Sequence, residues 1–302
     1  MASLVYGAMR ATGLTSLGRR LSNGAVVLCY HDVVPDAEID DGDASGLHLP
    51  LSAFERQIRF AAEHFRIVTL DTCLDRLARG TSLRGTLAIT FDDAYEGVFK
   101  HAWPFLQRLG IPAAVFVIAG AGGRDEAFWW DRGEVSRAVT PESRRRWLTE
   151  LHGEGAAILR SIGADAPPRA EHPPRRAAPW ATIACAARAG LTVGAHSLTH
   201  RSLPTLEGSE LRRELVESRD LITQHTGILP QYFAYPYGLW DDRVRRAVQA
   251  AGYRAAFTLD RGEVSPQADP WTIPRLNVPS GIGDAAFEAW TAGMYLRRQE
   301  IA

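Results

Sequence analysis

Seven short apolar runs, most of them rich in β-branched residues, alternate with amphipathic helical patterns along most of the 302 residues. They are Ala25 to Tyr30, Arg66 to Leu70, Thr86 to Phe91, Ala113 to Ile118, Leu191 to Ala195, Gln231 to Tyr235 and Arg254 to Leu259. Runs that stay apolar on both faces need cover on both faces, which is the situation of a parallel sheet sheathed by its crossover helices. Two such helices are marked. Ser52 to His64 has Ser52 as its expected cap and Phe54, Ile58 and Ala61 on one face, and Glu207 to Thr226 carries Leu211, Leu215, Val216 and Ile222 before Gly227 closes it. An open doubly wound sheet would give the same alternation as a barrel. The polar residues favour the barrel: His31, Asp92, Asp93, His196, His200 and Tyr237 all fall at or just past the C-terminal ends of predicted strands, where a barrel gathers chemistry from many strands at once.

A chain of this length with 46% hydrophobic residues can bury one large core. Residues 1–23 read as an amphipathic extension and 24–302 as one α/β domain with an insertion at about 120–179. The insertion breaks the rhythm with Arg144-Arg145-Arg146-Trp147 and then Pro167, Pro168, Pro173, Pro174 and Pro179, a half expected to be extended or poorly ordered. Its arginines read as a solvated helix face, with an anion site for an acidic polymer or phosphate as the other reading. Trp129 and Trp130 at its mouth suit either stacking on a sugar ring or packing of the insertion onto the barrel. With 34 basic and 35 acidic side chains, nothing in the balance argues for a nucleic-acid partner. Cys29, Cys73 and Cys185 are far apart and outside any CxxC spacing, so they read as buried small hydrophobes. Residues 1–21 place Leu4, Val5, Met9, Leu14, Leu17 and Leu21 among Arg10, Arg19 and Arg20, without the unbroken apolar core of a signal peptide. The expectation is a cytoplasmic chain whose first 21 residues pack on the barrel exterior or lie peripherally on a membrane.

The chemistry concentrates in two strand ends. One ends in Asp92-Asp93, and the other in His196-Ser197-Leu198-Thr199-His200, where two imidazoles four residues apart can face one ion from a single helical turn. One carboxylate from the other strand end completes three protein ligands and leaves a position for water, an arrangement suited to hydrolysis. Imidazole with carboxylate suits zinc, with cobalt and nickel competing for the same ligands.

Three motifs stand in order, each after a predicted strand: Thr90-Phe91-Asp92-Asp93, His196-Ser197-Leu198-Thr199-His200 and Tyr235-Pro236-Tyr237-Gly238. In them the chain resembles the polysaccharide deacetylases, the group sharing a homology domain with rhizobial chitooligosaccharide deacetylases, over roughly Ala25 to Val278. The resemblance implies a distorted (β/α) barrel, commonly of seven strands, that removes N-acetyl or O-acetyl groups from sugars with a divalent metal. It carries Asp93, His196 and His200 over as metal ligands, Asp92 as the general base, and the Tyr237 backbone N–H as a holder of the oxyanion. The physics agrees with these roles. A cation on two neutral imidazoles and one carboxylate keeps net positive charge and acidifies bound water, and an ionised Asp92 beside it can take the proton.

The chain departs from the family pattern at three places. Ala94 follows Asp93 where glycine is usual. Ala234 stands where an arginine usually opens the third motif and orients the base; Arg275, in Ile273-Pro274-Arg275-Leu276, is the candidate to replace it, with a surface arginine as the other reading. The late Leu-x-His motif is absent, because no histidine follows His225. His31, in a tyrosine-histidine start resembling the exopolysaccharide branch, is the candidate acid for the leaving amine, unless it merely caps local backbone. Asp32 either orients His31 or folds into the loop. His48, His64, His101, His152, His172 and His225 lack a strand-end context and read as surface or helix residues.

The expected activity is therefore removal of acetyl groups from a carbohydrate polymer, oligosaccharide or glycoconjugate precursor. An amidase for a small non-sugar amide on the same scaffold and a catalytically silent carbohydrate-binding relative are the alternatives. A glycosidase needs carboxyls about 5 to 9 Å apart across a bond, which adjacent aspartates do not naturally supply.

Overall fold

The computed structural model describes residues 2–39, 45–164 and 175–296. Ten strands form in chain order: β1 (Ala25–Tyr30), β2 (Asp32–Val34), β3 (His48–Pro50), β4 (Arg66–Ile67), β5 (Thr86–Phe91), β6 (Ala114–Val117), β7 (Thr192–Ala195), β8 (Tyr232–Ala234), β9 (Ala255–Phe257) and β10 (Leu276–Asn277). The helices are α1 (Ala2–Ala11), α2 (Leu14–Leu21), α3 (Leu51–His64), α4 (Leu70–Ala78), α5 (Trp103–Arg108), α6 (Gly133–Ala138), α7 (Pro141–Thr149), α8 (Gly155–Ser161), α9 (Trp180–Arg188), α10 (Gly208–Thr226), α11 (Asp242–Ala250) and α12 (Asp284–Trp290).

Seven parallel strands follow one another in the order β10-β1-β5-β6-β7-β8-β9, with β4 added alongside the start of β5. The sheet curls into a distorted barrel. Its seam is crossed by a single stretch: Ile273 bridges to Phe257 of β9, and three residues on Leu276 pairs with Leu28 of β1. Alternate residues of one strand feed two cores. Val26, Leu28 and Tyr30 pack outward under the helices, whereas Ala25 and Val27 point inward with Ala88, Phe116, Ala234 and Phe257. That double burial is why the strands read as continuous apolar runs. Gly194 makes room inside, since a Cβ there would stand 2.5 Å from the Phe116 ring.

Local signals explain where the elements differ from expectation. The run from Arg66 yields only a two-residue strand, because Thr69 caps α4 by accepting from the Thr72 N–H at 3.1 Å. Ser52 is not a cap: α3 begins one residue earlier, after Pro50, and the Ser52 N–H donates to Asp36 Oδ1 at 3.0 Å. Gly227 does close α10, with φ 72°. Cys29 and Cys73 are buried, but Cys185 is exposed on α9. His48 is buried, against the expectation of a surface residue, because β3 turns it inward between two carboxylates.

The insertion folds into α6, α7 and α8 around Val135, Trp147 and Ile158, with Trp129 against them. Thr140 and Ser143 form a reciprocal cap at the start of α7, and Arg144, Arg145 and Arg146 are exposed on it. Pro167, Pro168, Pro173, Pro174 and His172 lie outside the described residues. The first two helices, split at Gly13 (φ 75°), dock on α12 through buried Tyr6, whose hydroxyl accepts from Trp290 Nε1 at 3.0 Å. Their other side leaves Leu4, Leu14, Leu17 and Leu21 exposed, so only one face of this segment packs. No described helix is long and apolar enough to cross a membrane.

Phe54 ties the helical layer to the sheet, fully buried against the rings of Tyr30, Phe91 and Phe105. Phe54→Ala is expected to destabilise the fold by about 3–5 kcal/mol in a denaturant titration, because the rigid sheet cannot collapse into the cavity.

Candidate active site

The site lies on the rim formed by the strand C-termini, and its backbone is unusual. Six non-glycine residues among those described have positive φ: Asp93 (66°), Ala94 (57°), His152 (55°), Ser197 (63°), His200 (60°) and Tyr237 (59°). Four belong to the three motifs, Ala94 directly follows the first, and the sixth, His152, uses its carbonyl oxygen to accept the Ser202 N–H just beyond the second at 2.8 Å. Such strain persists where surrounding structure enforces it. Ala94, where the family usually has glycine, adopts a left-handed conformation that costs a side chain about 1–2 kcal/mol.

The turn at Asp93 and Ala94 sends two adjacent carboxylates to different partners. Asp92 continues the ladder, its N–H donating to Tyr30 O at 2.9 Å. Its carboxylate receives both terminal nitrogens of Arg275, Nη1 to Oδ1 and Nη2 to Oδ2, each at 2.7 Å. Arg275 is completely buried, which sets aside the surface reading; Nε donates to Thr258 O at 3.0 Å and Nη1 also to Thr90 Oγ1 at 3.2 Å. Burial alone would raise the Asp92 carboxyl, but the Arg275 guanidinium overrides it and holds Asp92 well below the usual carboxylate range. The Cys29 thiol donates to Asp92 Oδ2 at 3.4 Å.

Asp93 faces the histidines instead. Its Oδ1 is buried without a hydrogen-bond partner and lies 3.5 Å from His196 Nε2 and 3.6 Å from His200 Nε2, while the two Nε2 atoms are 3.2 Å apart. Bonds of about 2.0–2.1 Å at tetrahedral angles to one ion would space three donors about 3.3–3.4 Å apart, so this triangle fits a small divalent cation. Burial and the neighbouring Asp92 push Asp93 up, and burial pulls His196 and His200 down. Lowered imidazoles keep the lone pairs of His196 and His200 available, and a cation placed among the three donors would favour the ionised form of Asp93. His196 Nδ1 faces Ala234 O at 2.8 Å, and donating there leaves Nε2 free to ligate.

The two histidines do not share a helical turn. His196 to His200 is a tight loop whose left-handed Ser197 and His200 replace the expected helix. Glu214, buried on α10, organises it by accepting the N–H groups of Leu198 at 3.0 Å and Thr199 at 2.9 Å, along with the Thr199 hydroxyl. Sequence reasoning missed Glu214, although an acidic residue spaced with Leu211, Leu215 and Ser218 on the core face of a helix was a legible sign.

His31 stands beside Asp92, with Cys29, His31 and Asp92 donor atoms all within 4.8 Å. Burial pulls its imidazole down to about 4 against the raising pull of Asp92, so His31 is neutral at pH 7, not poised near neutrality. Asp32 does not orient it. That carboxylate accepts the Val33 N–H at 3.0 Å and turns to His48. Tyr237 packs its ring 4.4 Å from that of His200, and its buried hydroxyl lacks a hydrogen-bond partner. Above this floor the insertion roofs a cavity of about 450 Å³ with Trp129, Trp130, Val139 and Trp147, and Arg144 at its edge.

The sequence model described as polysaccharide deacetylase matches residues 79–256, more than half of the chain. The chain belongs to the polysaccharide deacetylase family. A curated relative, the poly-beta-1,6-N-acetyl-D-glucosamine N-deacetylase of Staphylococcus aureus, is 25% identical over 241 residues, covering 78% of this chain and 68% of that protein. Among solved structures, IcaB from Ammonifex degensii superposes with a TM-score of 0.64 at 23% identity, covering 90% of this chain and 98% of that one. The Streptococcus pyogenes deacetylase PplD in complex with acetate has a TM-score of 0.60 at 15% identity, covering 85% and 93%. These structural likenesses show that the fold is that of the family's deacetylases.

Removing Arg275 tests the electrostatics. A depressed carboxyl contributes stability that is present above its ordinary value of 3.8 and lost as pH falls through its folded value. In Arg275→Ala that contribution disappears and an unpaired carboxylate is left buried, at a cost of about 3–5 kcal/mol near neutral pH. Urea titrations from pH 3 to pH 8 are expected to show the gap between parent and variant widening as pH rises.

Proposed function

We propose that this protein is a metal-dependent hydrolase that removes N-acetyl groups from an N-acetylhexosamine exopolysaccharide or its oligosaccharides. The observation that carries the reading is the division of labour between adjacent aspartates: Asp93 joins His196 and His200 in a cation-sized triangle, while Arg275 keeps Asp92 ionised next to it. The named activity of the Staphylococcus aureus relative supports the substrate class. An aromatic roof supports a sugar over a small polar amide.

Asp93, His196 and His200 would hold the cation, which supplies polarisation of the acetyl carbonyl and a more acidic water. Zinc suits this donor set, and cobalt or nickel also fits it. Asp92 accepts the proton of the attacking water; Arg275 keeps that carboxylate ionised and aimed. The Tyr237 backbone N–H is assigned to the developing oxyanion, and the left-handed Tyr237 conformation between Pro236 and Gly238 orients that peptide. His31 is neutral at rest and adjacent to the base, so it serves as the acid by taking the water-derived proton from Asp92 and passing it to the leaving amine as the carbon–nitrogen bond breaks.

The test is acetate release from β-1,6-linked N-acetylglucosamine oligomers by metal-loaded protein. Asp92→Asn is expected to lower kcat by about 10²–10⁴-fold and His31→Ala by about 10²-fold, both with metal content retained. Parent protein that binds metal stoichiometrically and releases no acetate from any oligomer sinks this reading.

Residues 1–21 carry three arginines and no carboxylate, and α1 and α2 present four leucines to solvent. These support peripheral contact with an anionic membrane. Co-sedimentation with phosphatidylglycerol vesicles, weakened by salt and by Leu14→Ser with Leu17→Ser, is the expected result. Equal recovery on neutral phosphatidylcholine vesicles would rule out the electrostatic part.

A further inference from the structure

Beside the catalytic rim lies a second buried ionic cluster that the chemistry above does not use. His48 sits between two carboxylates, Nδ1 3.0 Å from Asp32 Oδ2 and Nε2 3.0 Å from Asp131 Oδ1, with all three side chains less than a tenth exposed. The two carboxylates come from different parts of the chain. Asp32 and His48 are partners in the small β2–β3 ladder on the barrel rim, whereas Asp131 lies at the entrance of the insertion. The hydrogen bonds continue from there. Asp131 Oδ2 accepts the Tyr95 hydroxyl at 2.7 Å, and the Tyr95 oxygen accepts Trp130 Nε1 at 2.7 Å.

Trp130 is thereby held in two directions. The bond to Tyr95 fixes the indole in its plane, and Phe128 backs one face, with ring centroids 4.7 Å apart and an interplanar angle of 7°. The ring also stands 4.7 Å from that of His200 and borders the cavity. Buried ion clusters are seldom worth more to stability than apolar packing of the same volume, and their best-attested use is to specify one arrangement over its neighbours. Burial alone would lower the His48 pKa, but the two hydrogen-bonded carboxylates raise it to about 10, which favours an imidazolium at this joint at neutral pH. Arg175 Nη1, 3.9 Å from Asp32, adds a second cation at its edge.

We propose that Asp32, His48 and Asp131 form a latch that fixes the insertion over the site, and that the latch acts through Tyr95 to present Trp130 as the face on which the substrate sugar is positioned. His48 and Tyr95 are positioning residues; Trp130 is the residue that meets the substrate. The sugar rests on the deacetylase reading, but the latch does not. Without the latch the strand-end chemistry keeps its groups, and the pocket wall that orients the acetylated ring is loosened.

Two readouts separate these claims. Amide hydrogen exchange over residues 129–164 is expected to accelerate by about tenfold or more in His48→Ala while β1 and β5 keep their protection. If that variant does not fold, Asp131→Asn removes the charge at the same joint with little change of shape. Unchanged exchange of the insertion in a folded variant overturns the latch. Tyr95→Phe deletes only the linking hydroxyl, and it is expected to raise KM and the calorimetric Kd for β-1,6-linked N-acetylglucosamine oligomers about five- to tenfold, with kcat within about twofold. On a Trp130→Ala background the same change is expected to add less than about twofold, because its route ends at that ring. Full additivity, or loss in kcat with KM unchanged, overturns the role given to Trp130. A parent enzyme without acetate release would defeat the deacetylase reading, while hydrogen exchange would still decide the latch.

Discussion

The rim of strand C-termini is closed around one fully buried ion pair. Arg275 meets Asp92 with two parallel hydrogen bonds of 2.7 Å, and neither partner is open to water. A pair this deep compensates its desolvation only with good geometry and with its remaining donors engaged. Both conditions hold: Nε is used by Thr258 O, the guanidinium also reaches Thr90 Oγ1, and its carbon lies 5.3 Å over the Phe116 ring. The same side chain thus joins the end of β5, the residue after β9 and the closing stretch at the seam. Barrel closure and the ionisation state of Asp92 rest on one interaction.

Much of this architecture was legible because the sheet is buried on both faces. Continuous apolar runs located six of the seven predicted strands to within about two residues, and the polar residues directly after them marked the rim. What escaped the reading depended on partners distant in sequence. Ser52 has the composition of a cap, but Asp36, sixteen residues earlier, already satisfies the N–H that matters. A spacing of four between His196 and His200 reads as a helical turn, yet the loop is stabilised by Glu214 from the next helix, and such a loop brings the Nε2 atoms to 3.2 Å. His48 looks like an ordinary polar residue at the start of a helix pattern. Its environment exists only once the insertion supplies Asp131 from 83 residues away.

The distribution of backbone strain follows the same division. Among the described residues, five of the six left-handed non-glycine residues collect at the turns that aim Asp93, His200 and Tyr237. A rigid sheet can impose such conformations because each turn is anchored at both ends, the His196 loop by Ala119 and Gly120 donating to Ser197 O and Leu198 O at 3.0 and 2.7 Å. Gly120 has no substitute there, since a Cβ would lie 2.6 Å from Leu198 O.

The position of Arg275 in the chain also orders events during synthesis. Asp92 leaves the ribosome more than 180 residues before its partner, and the strands β6 to β9 lie between them in sequence. Domains acquire structure as they emerge, so a nascent chain can lay down most of the sheet with Asp92 still needing water around its carboxylate. Burial of that group has to wait for the closing stretch from Ile273 to Asn277, which brings the counter-charge and seals the seam in the same movement. A chain stopped short of that stretch would hold the histidines and both aspartates and still have an open barrel with Asp92 hydrated and unpaired. Assembly of this rim is therefore a late report that the whole domain has folded.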